Sequence, residues 1–216
     1  MPTLVLRIEG PMQSWGISSR FTERDTGLEP SKSGIVGLIC AALGRSREAD
    51  VSDITALKMA VRVDREGHLS SDYHTALDVP RADGSSSGTL VSHRQYLADA
   101  CFLVALEGER NALDTVENAL KDPVWPLFLG RKAFLPSSPI LLEDGIVNSG
   151  IEETLASAPW LGRTGDMPDK LRAVVETTAS EGEPKMDVPL SYLNRSFAQR
   201  FVKTVWIETA KLKKGG

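Results

Sequence analysis

The order of elements in this sequence predicts an α+β fold built on a ferredoxin-like βαββαβ arrangement, the type also found in RNA-recognition motifs. Strand patterns and two helical patterns follow one another in that order, two β-prone arms flank a Gly/Ser-rich tip, and the chain changes character after Gly145. Its 216 residues are enough to bury a sizeable core. We expect a ferredoxin-like domain over residues 1–145, an extended β-hairpin at about 70–97, and a small β-rich C-terminal extension over 146–216.

The first elements follow from hydrophobic spacing. Thr3–Ile8 alternates between apolar and more polar positions, which predicts a half-buried strand. From Ser33 to Leu43 the apolar residues follow helical spacing, and Gly44 is suited to end that helix. Lys58–Asp64 has Met, Val and Val on one face and predicts the second strand of the fold.

A long hairpin is predicted next, from Tyr73 to Leu97, with its tip at residues 80–88. Ala100–Leu106 indicates a buried third strand, and Asn111–Lys121 a helix that stops before Pro123. A fourth apolar segment lies around residues 139–142.

The C-terminal region is predicted from weaker patterns. Glu152–Gly165 is loop-like, whereas Lys170–Thr178 and Lys185–Leu190 indicate two short strands around a polar turn. Arg195–Thr209 carries a further series of apolar side chains.

Composition excludes several classes of protein. A formal charge of −4 argues against binding to nucleic acid by bulk charge. A polyanion site must therefore be a local cluster of cations, drawn from Arg20, Arg24, Lys32, Arg45 and Arg47 or from Arg131, Lys132, Arg195, Arg200 and Lys203. The two cysteines have no metal-ligand spacing, and the longest apolar stretch is too short to span a bilayer. We expect a cytoplasmic protein without a metal, a cofactor or a membrane partner.

The start of the first helix is a candidate anion site. Backbone N–H groups at a helix N-terminus, with Lys32 beside them, suit a phosphate, although the residues do not match a nucleotide-hydrolysing P-loop. Gly34 and Gly37 reduce helix propensity there, which indicates close approach of a backbone, a phosphate or a packed strand. The long connection before this helix is of a length that is usually functional or disordered, and its aromatic residues and arginines favour function.

Two further groups could carry chemistry. Arg131 and Lys132 are adjacent cations that suit phosphate contact, or else form a solvated pair. His74 and His93 stand on the two arms of the hairpin, where with Lys132 they could support metal-independent RNA cleavage, or simply form hydrogen bonds within the arm or to a phosphate. The predicted sheet lacks the aromatic platform of an RNA-recognition motif, so RNA would bind to the loops and the arm.

Five motifs in order resemble the CasD family, the guide-RNA handle-binding subunit of the type I-E CRISPR surveillance complex Cascade. They are GPMQSWG at 10–16, SKSGIVGL at 31–38, DYHT at 72–75, RQYLADA at 94–100 and LGRK at 129–132, with a weaker similarity over 195–207. Phe128 and Lys132 depart from the Tyr and Arg usual in the family, which puts those individual contacts in question.

The resemblance implies a RAMP-type protein in which the hairpin is an extended thumb. Such a subunit is expected to bind the 5′ handle of the CRISPR RNA, cap the Cascade backbone filament and contact the large PAM-reading subunit, and so to meet target DNA only through the complex. Type I-E members lack a catalytic role, whereas type I-C relatives cleave precursor RNA. The alternatives are therefore handle binding without catalysis, metal-independent processing, and a purely architectural subunit.

Under this interpretation Met12, Gln13 and Trp15 border a pocket for a handle base, and Lys32 and Ser33 hold phosphate together with nearby backbone N–H groups. The thumb presses on the strand where handle and spacer meet. The full set of RNA-binding candidates comprises Met12, Gln13, Ser14, Trp15, Arg20, Lys32, Ser33, Tyr73, His74, His93, Arg94, Gln95, Arg131 and Lys132.

Overall fold

The first strand, β1 (Thr3–Glu9), is buried on both faces. Leu4, Leu6 and Ile8 enter one hydrophobic core, and Val5 enters a second core on the other side of the sheet. The expectation of a half-buried strand was wrong because helices cover both faces at this point. The computed structural model describes residues 1–16, 23–80, 84, 87–162 and 166–213.

The remaining elements follow in chain order. The strands are β2 (Met12–Gln13), β3 (Glu23–Arg24), β4 (Lys58–Arg65), β5 (His68–Val79), β6 (Gly88–Ala98), β7 (Cys101–Glu107), β8 (Leu141–Val147), β9 (Lys170–Thr177), β10 (Glu183–Ser191) and β11 (Ser196–Glu208). The helices are α1 (Lys32–Ala42), α2 (Ser52–Thr55), α3 (Arg110–Lys121) and α4 (Ile151–Ser157), with a 3₁₀ turn at Thr209–Lys211.

An α+β architecture is observed, with two sheets in which the strands pair antiparallel except for β3 with β6. The larger sheet has the order β10-β11-β9-β4-β7-β1-β8. Helices α1 and α3 pack on one face of its centre through Ile35, Ile39, Leu113 and Val116, and α4 packs on the opposite face.

Helix α1 begins and ends where the local sequence predicts. The Ser31 side chain accepts a hydrogen bond from the Gly34 N–H at 3.2 Å, which is a typical N-cap contact. At the other end Gly44 takes a φ of +68°, the left-handed conformation that commonly ends helices.

The hairpin is a long ribbon outside the main sheet. Strands β5 and β6 pair from His68↔Ala98 to Val79↔Gly88, and most side chains of β5 are exposed. The short strands β2 and β3 pair with β6 near its C-terminal half, so they join the ribbon to the loop after β1.

The C-terminal region differs from expectation in one element and continues the larger sheet. Residues 151–157 form α4, not a loop, because Ile151, Thr154 and Leu155 share one buried face at helical spacing. Strand β9 pairs with β4 over three register positions, from Ala60↔Val175 to Arg62↔Ala173. A division of the chain near residue 145 stays a prediction, and it would run through β8.

Among the described residues, no helix combines the length and the apolar character needed to cross a membrane.

Candidate nucleic-acid interface

Two glycine-containing motifs meet at the base of the hairpin. The Ser14 N–H donates to the Leu129 carbonyl at 3.1 Å, and the chain turns at Gly130 with a φ of +90°. A Cβ atom on Gly130 would lie 1.8 Å from the Ser14 carbonyl oxygen. Only glycine permits this backbone contact, which fixes Arg131 beside the loop after β1.

Gln13 and Trp15 are anchors of this loop and lie in the core. Their exposed fractions are 0% and 1%. The Gln13 amide donates to the Ala100 carbonyl at 2.8 Å, and its oxygen accepts from the Trp15 indole at 3.2 Å. The Trp15 ring lies so close to Gly34 that a Cβ there would be 2.7 Å away, so the glycine in α1 accommodates an aromatic side chain of the protein. The structure therefore gives both side chains internal partners.

The edge of the loop is formed by its neighbours. Met12 is half-buried on β2, and the Ser14 hydroxyl lies 3.5 Å from the Gln95 carbonyl that accepts its hydrogen bond. Arg20, also predicted to contact RNA, lies outside the described residues.

The N-terminus of α1 already holds an anion, the side chain of Asp187. The Lys32 N–H donates to Asp187 Oδ2 at 2.8 Å. The Lys32 ammonium, in a residue only 5% exposed, donates to Glu176 at 3.0 Å. The predicted anion site thus exists, but the protein's own carboxylates fill it.

Arg200 completes this buried ionic network. Its guanidinium bonds Asp187 at 2.6 and 2.9 Å and Glu176 at 2.9 Å. Burial alone would raise the pKa of Asp187, but the hydrogen bonds and charge of Arg200, together with the Lys32 N–H, hold it below its usual range. The network joins α1 to β9, β10 and β11.

Ser33 is also used within the protein. Its hydroxyl lies 3.2 Å from that of Ser31, and its carbonyl accepts a hydrogen bond from the Tyr192 hydroxyl at 2.6 Å.

Three arginines come together at the base of the hairpin. Arg24 and Arg94 are register partners where β3 runs parallel to β6. Arg131 donates to the Gln95 carbonyl at 2.7 Å, which places its guanidinium next to β6. In the described part of the chain, no salt bridge joins any of the three to a carboxylate.

The pKa of Arg131 is lowered, which reflects burial and the nearby positive charges. Burial lowers its pKa, the positive charges of Arg94 and Arg24 lower it further, and only Asp72 acts in the opposite direction. The guanidinium also lies 5.3 Å from the centre of the Phe134 ring. Arg131 is therefore held in place on a site that favours a negatively charged partner.

His74 and His93 of the hairpin do not share a face. Tyr73 and His93 are opposite each other, with ring centres 5.5 Å apart in an edge-on arrangement. His74 is the register partner of Ser92 and accepts a hydrogen bond from it through its carbonyl at 3.5 Å. Because neighbouring residues of a strand point to opposite faces, His74 and His93 lie on opposite sides of the ribbon.

Sequence reasoning gave Arg24 only as one cation among many. The structure places Arg24 in the cluster because the two-residue strand β3 pairs with β6, and no local sequence pattern predicts this pairing. Lys132 is exposed in the same loop as Arg131, and Gln95 is exposed on the ribbon. Within the described residues no group of His, Cys, Asp and Glu side chains is placed to hold a metal ion.

The sequence and the fold match a known class of protein. A family model described as CRISPR-associated protein (Cas_Cas5) matches residues 3–203, so the chain belongs to this family. Among curated proteins it is 35% identical over 157 residues to the CRISPR system Cascade subunit CasD of Escherichia coli (strain K12), covering 64% of this chain and 69% of that protein.

Two solved structures extend the likeness over nearly the whole chain. One, described as a crystal structure of a Cas protein, has a TM-score of 0.83 at 43% identity and covers 99% of this chain and 98% of the other. The second, a chain of a CRISPR RNA-guided surveillance complex, has a TM-score of 0.86 at 35% identity and covers 99% and 93%.

Proposed function

We propose that this chain is the CasD-type subunit of a Cascade complex and holds the 5′ handle of the CRISPR RNA at the base of its hairpin. The observation that carries the proposal is the cluster of Arg24, Arg94 and Arg131. In a protein of net charge −4, three guanidiniums without a salt bridge in the described part of the chain suit a ribose-phosphate backbone.

Binding at this cluster would use guanidinium groups that the protein already holds in position. Arg131 is fixed by the Gln95 carbonyl and the Phe134 ring, so its side chain gives up little entropy when it meets a phosphate. The exposed pair of Tyr73 and His93 offers an aromatic face to an unstacked base near the point where handle and spacer meet.

The buried candidates act indirectly in this proposal. Gln13 and Trp15 set the position of Ser14, while Lys32 fixes the start of α1 through the ionic network. Ser14 is itself only 8% exposed and belongs with these buried candidates. Direct contact with RNA is assigned to the exposed and half-buried groups, which are Met12, Ser33, Tyr73, His74, His93, Arg94, Gln95, Arg131 and Lys132, together with Arg24.

The larger sheet and its helices would provide a rigid support for the hairpin that contacts RNA. The strand order β4-β7-β1-β8 with α1 and α3 on one face fits a ferredoxin-like core, from which the hairpin projects as a thumb. From such a position we infer contacts with the Cascade backbone and with the large PAM-reading subunit. The proposed compartment is the cytoplasm, which the two buried free thiols support.

We propose that the subunit is not a nuclease. An acid–base pair of His74 and His93 would require both imidazoles on one side of the scissile phosphate, whereas they lie on opposite faces of the ribbon. Incubation of the purified protein with labelled repeat RNA in EDTA is expected to leave the RNA intact. A discrete 5′-handle product that disappears in His74→Ala would establish the endoribonuclease alternative.

Fluorescence anisotropy with labelled repeat RNA tests the binding site. The double variant Arg24→Gln/Arg131→Gln should bind at least about tenfold more weakly, because charge-assisted contacts are the strong ones. Arg110→Gln on α3 is a control for the loss of an exposed cation outside the cluster. Equal affinities of the double variant and this control would reject the arginine cluster as the RNA site.

A further inference from the structure

A groove with a volume of about 940 Å³ runs along α1, and its lining includes Gly130 and Lys132 but none of the three arginines of the cluster. Its floor is the small-residue face of α1 that includes Gly34, Gly37 and Ala41. One wall is the segment from Trp125 to Lys132, and the other is the turn between β10 and β11.

Both walls are attached to α1. The Trp125 N–H donates to the Ala41 carbonyl at 3.2 Å, so the backbone of this wall satisfies a carbonyl in the last turn of the helix. The Tyr192 hydroxyl donates to the Ser33 carbonyl at 2.6 Å and fixes the opposite wall. Backbone and side-chain hydrogen bonds therefore hold both walls of the groove against α1.

The lining of the groove is basic and aromatic. No Asp or Glu is among the described residues that line it, although the whole chain has 29 acidic residues. Arg47, Lys132 and Arg195 line it without a salt bridge in the described part of the chain, whereas Arg45 is paired with Asp53 at 2.6 Å. The aromatic residues of the lining are Trp125, Phe128, Tyr192 and Phe197, and Trp125 is 45% exposed.

Arg195 occupies a strained backbone position. Its φ is +51°, and it is the last residue of the turn before β11. Glycine or asparagine is usually preferred in this conformation, and an arginine there carries a conformational cost. Strained conformations of this kind cluster at functional sites, and Arg195 is one of the residues that line the groove.

We propose that this groove binds a single-stranded RNA segment of a few nucleotides, with bases stacked on Trp125 and Phe197 and phosphates on Arg47, Lys132 and Arg195. Alternating cations and aromatic faces along a groove are the features that bind unpaired strands. The inference rests on the proposed function, because Arg131 of the cluster is followed directly by Lys132, which lines the groove. It extends the RNA path from the hairpin base around this loop and along α1.

The test uses the full chain and two RNA probes, labelled repeat RNA and a labelled oligouridine of about eight nucleotides. Trp125→Ala should weaken binding of both probes about tenfold. Arg195→Gly should also weaken binding, while the melting temperature stays the same or rises because the strained residue is replaced by glycine. A decrease in affinity without a decrease in stability separates RNA binding from a structural role.

Crosslinking identifies the segment of RNA directly. Repeat RNA substituted with 4-thiouridine should crosslink to peptides that contain Trp125 or Phe197, and Arg24→Gln/Arg131→Gln should not shift those crosslinks to other peptides. If wild-type protein binds repeat RNA but Trp125→Ala and Arg195→Gly match it in affinity, the groove inference is overturned while the proposed function stands. If those variants instead lose only association with other Cascade subunits, the groove is a protein-docking site and the inference is likewise overturned. Absence of RNA binding by the wild type would reject the proposed function itself.

Discussion

Replacement of Asp187 by alanine tests the buried ionic network that fixes the start of α1. The carboxylate accepts one hydrogen bond from the Lys32 N–H at 2.8 Å and two from Arg200 at 2.6 and 2.9 Å. Its removal leaves two buried cations to share Glu176. Breaking a buried ion pair from one side costs about 3–5 kcal/mol, of which the missing hydrogen bond at the helix N-terminus accounts for about 1 kcal/mol.

Urea unfolding followed by circular dichroism measures this effect. We expect Asp187→Ala to reduce the free energy of unfolding by about 3–5 kcal/mol, a large part of a typical total of about 5–15 kcal/mol. Asp169→Ala, which removes an exposed carboxylate, should change it by less than about 0.5 kcal/mol. Equal stability of the two variants would refute the role of the network. If Asp187→Ala bound repeat RNA more tightly than wild type, the N-terminus of α1 would be an RNA site that the carboxylate blocks.

The same residue predicts a pH dependence. The pKa of Asp187 is lower in the folded chain than its unfolded value of about 3.9. Its stabilising contribution is therefore complete above the unfolded pKa and is lost as the pH falls through the folded pKa. The stability difference between wild type and Asp187→Asn should be constant near neutral pH and shrink in acid, as measured by urea unfolding across pH. A difference that grew in acid would contradict the sign of the pKa shift.

Three further predictions address packing and thiol chemistry. Gly130→Ala should lower the melting temperature more than Gly84→Ala. Both glycines have positive φ, but an added Cβ would lie 1.8 Å from the Ser14 carbonyl oxygen at Gly130 and would meet no atom within 4 Å at Gly84; similar decreases would contradict the close approach. Asp64→Ala should cost about 3–5 kcal/mol in urea unfolding, because its partner Arg62 is fully buried and would lose its counter-ion; a cost below about 1 kcal/mol would refute this. Burial raises the pKa of Cys101 to about 12, so its thiol should resist a disulfide reagent at about pH 8 until urea is added; equal rates in both conditions would show that the residue is accessible.

Local sequence determined much of the fold. Helices α1 and α3 were predicted within one residue at each end, because their apolar residues keep helical spacing over about three turns and because Gly44 and Pro123 mark where they end. Helix α4 was missed because its seven residues give only about two turns of that spacing. The pairing of β9 with β4 depends on residues far apart in the chain, which no local pattern reveals.

The loops that form the candidate site could be predicted from the sequence, but their long-range partners could not. The glycine-rich motifs pointed to the loops that meet, since Gly130 and Gly34 are needed where backbone or ring approaches closely. The chemistry at the start of α1 was anticipated as an anion site, but the anion comes from Asp187, more than 150 positions later in the chain. A lysine that suits a phosphate suits an internal carboxylate equally well, and only tertiary structure distinguishes them.

The central claim is that Arg24 and Arg131 neutralise RNA phosphates at the base of the hairpin. The most direct measurement is the affinity for labelled repeat RNA as a function of salt concentration, for wild type, Arg24→Gln/Arg131→Gln and the control Arg110→Gln. We expect the logarithmic salt slope to become shallower by about 0.7 for each phosphate that the double variant no longer neutralises, and to stay unchanged in the control. An unchanged slope in the double variant would contradict the account.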